Sequence, residues 1–201
     1  AMHRGTSVYL TGHTSTMLPE RLCNRICSLC PGEEKLCFSV IFEFDAEGNI
    51  MNSDICRTVI KSDYRFSYGD VQQILETGEG ECKEEIFVLN KLAKMLREER
   101  FRAGALCFNR GAVKFEMDSE GKPLRAYVDE SKEANKLIEE FMLLANRTVA
   151  CYIGQKQATG KAKTFIYRIH EAPVAERQEK LVCLARRFGY KLETKGSRSN
   201  F

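Results

Sequence analysis

Apolar and polar residues alternate most clearly from Leu36 to Phe44 and again from Ile50 to Ile60. A period of two sends successive side chains to opposite faces of a strand. Between the runs stands Asp45-Ala-Glu-Gly48-Asn49, which has turn chemistry, so the stretch predicts a β-hairpin with a longer loop. Ser67, with Asp70 three residues on, signals a helix N-terminus and predicts a short helix through Glu76. A Gly- and Glu-rich link, Thr77 to Glu81, leads to a second helix over Glu84–Arg100. Its Ile86, Leu89, Ala93 and Leu96 recur at helical spacing.

Further along, Gly104–Phe108 and Ala112–Met117 read as strands, Asp118-Ser-Glu-Gly121-Lys122 as a tight turn, and Leu124–Val128 as another strand. Ser131 is expected to cap a long helix. Ala134, Leu137, Ile138, Phe141, Leu144, Ala145 and Val149 form its apolar stripe, with Glu133, Lys136 and Glu140 off it. Gln155–Lys163 reads as a polar, basic loop and Thr164–Ile169 as strand-like. Pro173 opens a helix that Gly189 ends. Ahead of the hairpin, Arg4–Leu10 is a turn entering a short strand, and residues 11–32 read as irregular. Strands and helices mix without strict alternation. The expected class is α+β, mixed β-strands packed with several helices, as one domain over residues 1–190 with a tail or linker at 191–201.

Composition narrows the function classes. A chain of 201 residues with 43% hydrophobic and 29% charged residues is an ordinary soluble globular protein with enough length to bury a core. No apolar run approaches the ~20 residues of a membrane span, and the N-terminus has no signal-peptide core, so the expectation is a cytoplasmic protein without a membrane partner. Nine cysteines, an odd number in a chain of this length, fit reduced thiols better than a disulfide framework. The net charge of +3 is unevenly spread: residues 1–146 carry −5 and residues 147–201 carry +8. A basic segment suits a phosphate-backbone partner, because each neutralised phosphate releases counterions. A solvated surface accounts for the charge equally well.

Catalytic clusters are mostly absent from the sequence. It holds no glycine-rich phosphate loop, no His-Glu-x-x-His and no Gly-x-Ser-x-Gly. His3, His13 and His170 are scattered, and Asp45, Asp54, Asp63 and Asp70 fall on turns and separate elements instead of forming the tight carboxylate cluster that metal-assisted phosphoryl chemistry needs. Cys23, Cys27, Cys30 and Cys37 invite a zinc reading, yet they contain only one Cys-x-x-Cys knuckle. Cys37 falls inside a hydrophobic strand pattern, where a thiol is usually a small apolar side chain.

An ordered series of short strings changes the picture: Arg4-Gly-Thr-Ser-Val-Tyr-Leu10, Met17-Leu-Pro-Glu20, Leu22-Cys-Asn24, Ile26-Cys-Ser-Leu29-Cys-Pro-Gly-Glu33 and Phe38-Ser-Val-Ile41. It continues through Ser67-Tyr68, Gly104-Ala-Leu106, Glu133-Ala-Asn135, Ile138-Glu-Glu140, Ala145-Asn146 and Tyr167-Arg-Ile-His-Glu171. The series resembles the catalytic, or RNB, domain of the ribonuclease R/ribonuclease II exoribonucleases over nearly all of residues 4–190. Departures lie at Thr11–Thr16, where relatives usually carry a Pro-Asp-Arg-like stretch, and at Cys23 and Cys107.

The resemblance implies hydrolytic 3′→5′ degradation of single-stranded RNA to nucleoside 5′-monophosphates with a divalent metal, Mg2+. In that family an aspartate cluster stands shortly before the Arg-Gly-Thr-Ser string, and a Thr-Ser-Pro-Ile-Arg block well after the Tyr-Arg-x-His-Glu string. Neither occurs in this sequence. The expectation is a central RNB fragment from a bacterial enzyme, inactive alone and with no metal of its own. Three RNA-contacting positions carry over. Tyr68 faces the 3′-terminal nucleotide, Glu139 contacts its ribose, and Phe108 stacks on a base; as plain structure they are a helix-end residue, an exposed carboxylate and a core aromatic. The competing readings are a non-catalytic module that grips single-stranded RNA through aromatic stacking and the basic segment 147–198, and a zinc-stabilised interaction domain. Strands left without partners would expose edges through which the chain could self-associate.

Overall fold

The structure, a computed structural model, describes residues 5–11, 13–106, 111–154, 163–169 and 173–192. Three antiparallel hairpins come in chain order: β1 (Val8–Leu10) with β2 (His13–Ser15), β3 (Glu34–Phe44) with β4 (Ile50–Lys61), and β5 (Ala112–Met117) with β6 (Pro123–Asp129). The helices are α1 (Tyr68–Thr77), α2 (Lys83–Arg102), α3 (Glu133–Gly154) and α4 (Ala175–Arg187). Mixed strands and helices make the α+β class that the patterning predicts.

The two longer hairpins close with the same chemistry. Asp45 and Asp118 each directly follow a strand, and each is followed by x-Glu-Gly-x. The Asp45 carboxylate accepts the Asn49 N–H at 2.7 Å, while the Asp118 carboxylate accepts Lys122 N–H at 2.8 Å. Three residues on, Gly48 (φ 84°) and Gly121 (φ 79°) take the left-handed backbone that lets their N–H groups reach back to the aspartate carbonyls. Both registers shift by one residue just before the loop.

Residues 11–32 are less irregular than the sequence suggests. They contain β2 and a π-type helical turn, Arg21–Ile26, whose end is tied to β3 by Lys35 Nζ donating to the Arg25 carbonyl at 2.9 Å. Pairing made by three mostly exposed residues a side leaves no periodic signal. Gly104 does not open a strand. It has φ 91° and ends α2, with Gly104 N–H donating to Phe101 O and Ala105 N–H to Arg100 O, a Schellman closure. Ala105 and Leu106 are not in a strand either, and Cys107 and Phe108 lie outside the described residues. Residues 163–169 find no strand partner among the described residues. Ser131 is not the cap of α3 either. The Lys132 carbonyl accepts the first helical N–H groups, and Asn135 Oδ1 reaches back to Lys132 N–H at 3.1 Å. At α4, Gly189 (φ 83°) closes the end as the sequence predicts.

The chain divides into two compact units, residues 1–91 with 109–139, and residues 92–108 with 140–201. The first buries Ile74 of α1, Ile86 of α2 and Ala134 and Leu137 of α3. Ile86 and Ala93 of the predicted stripe of α2 are buried, but between them Asn90, not Leu89, is the buried residue. In the second unit Ala93 is buried, and so is Glu140, which the apolar pattern of α3 excluded.

Candidate functional site

Tyr68 is the first residue of α1 and stands inside a reciprocal capping box. Ser67 Oγ accepts Asp70 N–H at 3.2 Å, and Asp70 Oδ2 accepts Ser67 N–H at 2.8 Å. Both orphan donors of the turn are satisfied, so the backbone of Tyr68 is fixed while its ring stays 53% exposed. These bonds, the Ser67 backbone N–H first, hold the Asp70 carboxyl below its ordinary range.

A depressed folded value contributes stability above the ordinary carboxylate range, and that contribution disappears as pH falls through the lowered value. Ser67→Ala should cost about 1 kcal/mol at neutral pH. Asp70→Asn should remove the acid-side slope that the box contributes to the thermal midpoint. Parallel midpoint-versus-pH curves for the parent and Asp70→Asn would contradict this account.

The face of α1 that carries Tyr68 also carries Gln72, one turn on. Gln72 Oε1 accepts Ala134 N–H at 3.2 Å, joining α1 to the first turn of α3. Glu139 lies five residues further along α3 and is exposed. Tyr68 and Glu139 therefore sit on two elements of one unit that share a direct hydrogen bond. Phe108 lies outside the described residues.

Adjacent carboxylates on α3 have opposite environments. Glu140 is 3% exposed and is held by Arg100 of α2 in a two-pronged pair, Nε–Oε2 at 3.1 Å and Nη2–Oε1 at 2.5 Å. One residue is 100° of helix rotation, so burying Glu140 turns Glu139 outward. Lys136, three residues before Glu139, pairs instead with Glu133 at 3.1 Å.

Sequence reading missed a second aromatic pair beside Tyr68. Tyr64 and Phe66 stack with ring centroids 5.9 Å apart. The signal was an aromatic at every second residue from 64 to 68. Their surroundings are acidic: Glu81, then Cys82 and Asp63, push the Tyr64 hydroxyl above its ordinary range.

No group of three or more His, Cys, Asp or Glu side chains among the described residues could hold a metal ion, so those residues offer no ligand set that fits Mg2+. The zinc quartet is dispersed as well. The Cys23 thiol donates to the Leu18 carbonyl, that of Cys30 to the Ser28 hydroxyl, Cys27 is exposed, and Cys37 lies in β3 opposite Thr58. Among the described residues no helix is long and apolar enough to cross a membrane.

Comparison with known proteins places these elements. The RNB domain matches residues 1–199. Ribonuclease R 1 of Lactococcus lactis subsp. lactis is 36% identical over 199 residues, covering 96% of this chain and 24% of that protein. The exosome complex exonuclease RRP44 of Homo sapiens is 34% identical, covering 98% of this chain and 20% of that protein. Mycoplasma genitalium RNase R in complex with double-stranded RNA has the same fold, with a TM-score of 0.82 at 26% identity over 98% of this chain and 36% of that one. The same enzyme with ribose methylated single-stranded RNA gives a TM-score of 0.81 at 25% identity, over 98% of this chain and 32% of that one. The chain thus spans a fifth to about a third of the length of these relatives. With almost every residue matched in sequence and in fold, the chain belongs to the RNB domain family, that of ribonuclease R and related exoribonucleases.

Proposed function

We propose that this chain is the RNA-positioning part of a 3′→5′ exoribonuclease that hydrolyses single-stranded RNA to nucleoside 5′-monophosphates. In that reaction water adds to the terminal phosphodiester phosphorus and the O3′ of the penultimate nucleotide leaves. A divalent metal such as Mg2+, for which the described residues offer no ligand set, would supply activated water and charge neutralisation where other residues of such an enzyme held it. The residues of this chain bind and orient. The single observation that carries the reading is the match of residues 1–199 to the RNB domain.

Within that frame Tyr68 contacts the 3′-terminal nucleotide from a capped helix end, and Phe108 stacks on a base. The outward-facing Glu139 carboxylate accepts a hydrogen bond from the ribose 2′-OH, a donor that a DNA sugar lacks. Their contribution is proximity and orientation of the scissile phosphate, not proton transfer.

The test is a denaturing-gel time course of 5′-labelled oligo(A) with the 201-residue chain and magnesium or manganese, run beside a native gel of the same mixture. The expected result is an unshortened band that is nevertheless retarded on the native gel. A ladder shrinking from the 3′ end would reveal a complete metal site in these residues and end the positioning-only reading. A band neither shortened nor retarded would remove the RNA-holding role of the chain on its own.

A further inference from the structure

From Arg147 to His170 the sequence carries five Lys or Arg residues and no Asp or Glu. The described part of this stretch is the last turns of α3 with residues 163–169, all in the second unit. There the basic residues are interleaved with aromatic ones. Lys163 Nζ stands over the Tyr152 ring, 5.1 Å from its centroid. Phe165 and Tyr167 meet edge to face at 5.1 Å. Tyr167 Oη donates to the Ala150 carbonyl at 3.5 Å and comes so close to Gly154 that a Cβ there would lie 3.1 Å from it. Tyr152, Phe165 and Tyr167 all stay half exposed, and Arg147 and Arg168 are exposed.

Packing alone does not account for this arrangement. Three half-exposed aromatic rings belong to a stretch of sequence, Arg147 to His170, whose charged residues are all positive. The last turn of α3 holds no basic residue of its own, and the cation at that end is Lys163 over the Tyr152 ring. The stacked pair Tyr64–Phe66 is equally aromatic, but its acidic neighbours would repel a phosphate backbone.

We propose that Tyr152, Phe165 and Tyr167, with Lys163, Arg147 and Arg168, form a second contact surface for single-stranded nucleic acid. It belongs to the second unit, whereas Tyr68 and Glu139 belong to the first, and it is independent of the 2′-OH. Bases stack on the exposed rings, since every base has a π-face, and the cations follow the phosphates. Lys163 already engages a ring face, as an arginine or lysine does beside a stacked base. The inference adds a sugar-independent grip on the strand to the proposed function, and it rests on that reading for the identity of the strand.

The experiment uses the full 201-residue chain and 12-mer oligo(A) containing one 2-aminopurine, whose fluorescence is quenched by stacking. Binding is followed in parallel by anisotropy, with RNA and DNA versions of the strand. The surface predicts quenching with both sugars and an affinity that falls with salt, the log–log slope being about −0.7 per neutralised phosphate. Tyr152→Leu combined with Tyr167→Leu should weaken binding about tenfold and abolish the quench. Tyr152→Phe with Tyr167→Phe keeps the rings and should restore both. Should the Leu pair shift the thermal midpoint, Lys163→Glu on the exposed surface is the alternative, with weaker binding and a shallower salt slope expected.

Full quenching and unchanged affinity in the Leu pair and in Lys163→Glu would overturn the proposal, and so would a parent chain that holds no strand. Glu139→Ala separates the two readings. Loss of RNA-over-DNA preference in that variant, with the quench intact, supports both sites. An unchanged preference counts against the ribose contact alone and leaves the aromatic surface standing.

Discussion

Replacing Arg100 by methionine is expected to lower the unfolding free energy by about 3 kcal/mol, which for a chain of 201 residues is a thermal midpoint lower by roughly 10 °C. The reason lies in what stays behind. Glu140 is 3% exposed, and its carboxylate is met by both prongs of the Arg100 guanidinium. Methionine fills most of the volume but donates nothing, so a buried charge loses its partner and must draw in water or a proton. Breaking a buried pair from one side costs about 3–5 kcal/mol, and the lower end applies because Arg100 itself is 32% exposed. Arg100 also stands over the Phe101 ring, 5.1 Å from its centroid, a smaller contact that methionine partly keeps. The double variant Arg100→Met with Glu140→Leu should recover most of the loss, since an apolar pair of similar size has no desolvation penalty to offset. Urea unfolding of the four proteins measures the coupling. If Arg100→Met alone stays within about 1 kcal/mol of the parent, the pair is not what holds α2 to α3 in that unit.

That pair also marks where the sequence stops being legible. Elements whose cause is local could be read in advance. The Asp-x-Glu-Gly loops and flanking alternation gave the two long hairpins, Ser67 with Asp70 gave the start of α1, and Gly189 gave the end of α4. Features that depend on a distant partner could not. Glu140 sits on the inward face because Arg100, forty residues away, neutralises it, and nothing in the pattern of α3 announces that partner. Asn90 is buried where periodicity preferred Leu89, a polar residue accepted inside that only packing reveals. Gly104 precedes apolar residues and so looks like a strand entrance, although its left-handed backbone ends a helix.

The candidate site divides along the same line. Tyr68 was placed correctly at a helix start from four consecutive residues. Choosing Glu139 over Glu140 rested on family resemblance. The burial of Glu140 now gives a physical reason why its neighbour is the carboxylate turned to solvent. The basic segment from residue 147 was legible as a candidate phosphate partner, but the stacked pair Tyr64–Phe66 and the contact of Lys163 with Tyr152 went unread, because their members are separated by residues of unremarkable composition.

Two glycines in the link between α1 and α2 should respond very differently to alanine, although both have positive φ. Gly78 (φ +74°) closes α1, with Gly78 N–H donating to Ile74 O at 2.9 Å, and a Cβ there would meet nothing within 4 Å. Gly78→Ala therefore bears only the left-handed backbone penalty, about 1 kcal/mol. Gly80 has φ +140°, and its Cβ would lie 2.5 Å from Ile74 Cγ1 and 2.9 Å from Cδ1. Ile74 is 6% exposed and belongs to the small apolar core of its unit, so it has little room to turn aside. Backbone strain and overpacking, each of order 1–3 kcal/mol, add to about 3 kcal/mol for Gly80→Ala. A cycle with Ile74→Ala separates the two terms. Removing the isoleucine should relieve the clash and leave the strain, so the double variant should be more stable than the sum of the singles by about 1 kcal/mol or more. Additive losses would assign the whole cost to backbone conformation. They would also mean that the link does not pass against Ile74 as closely as the structure has it.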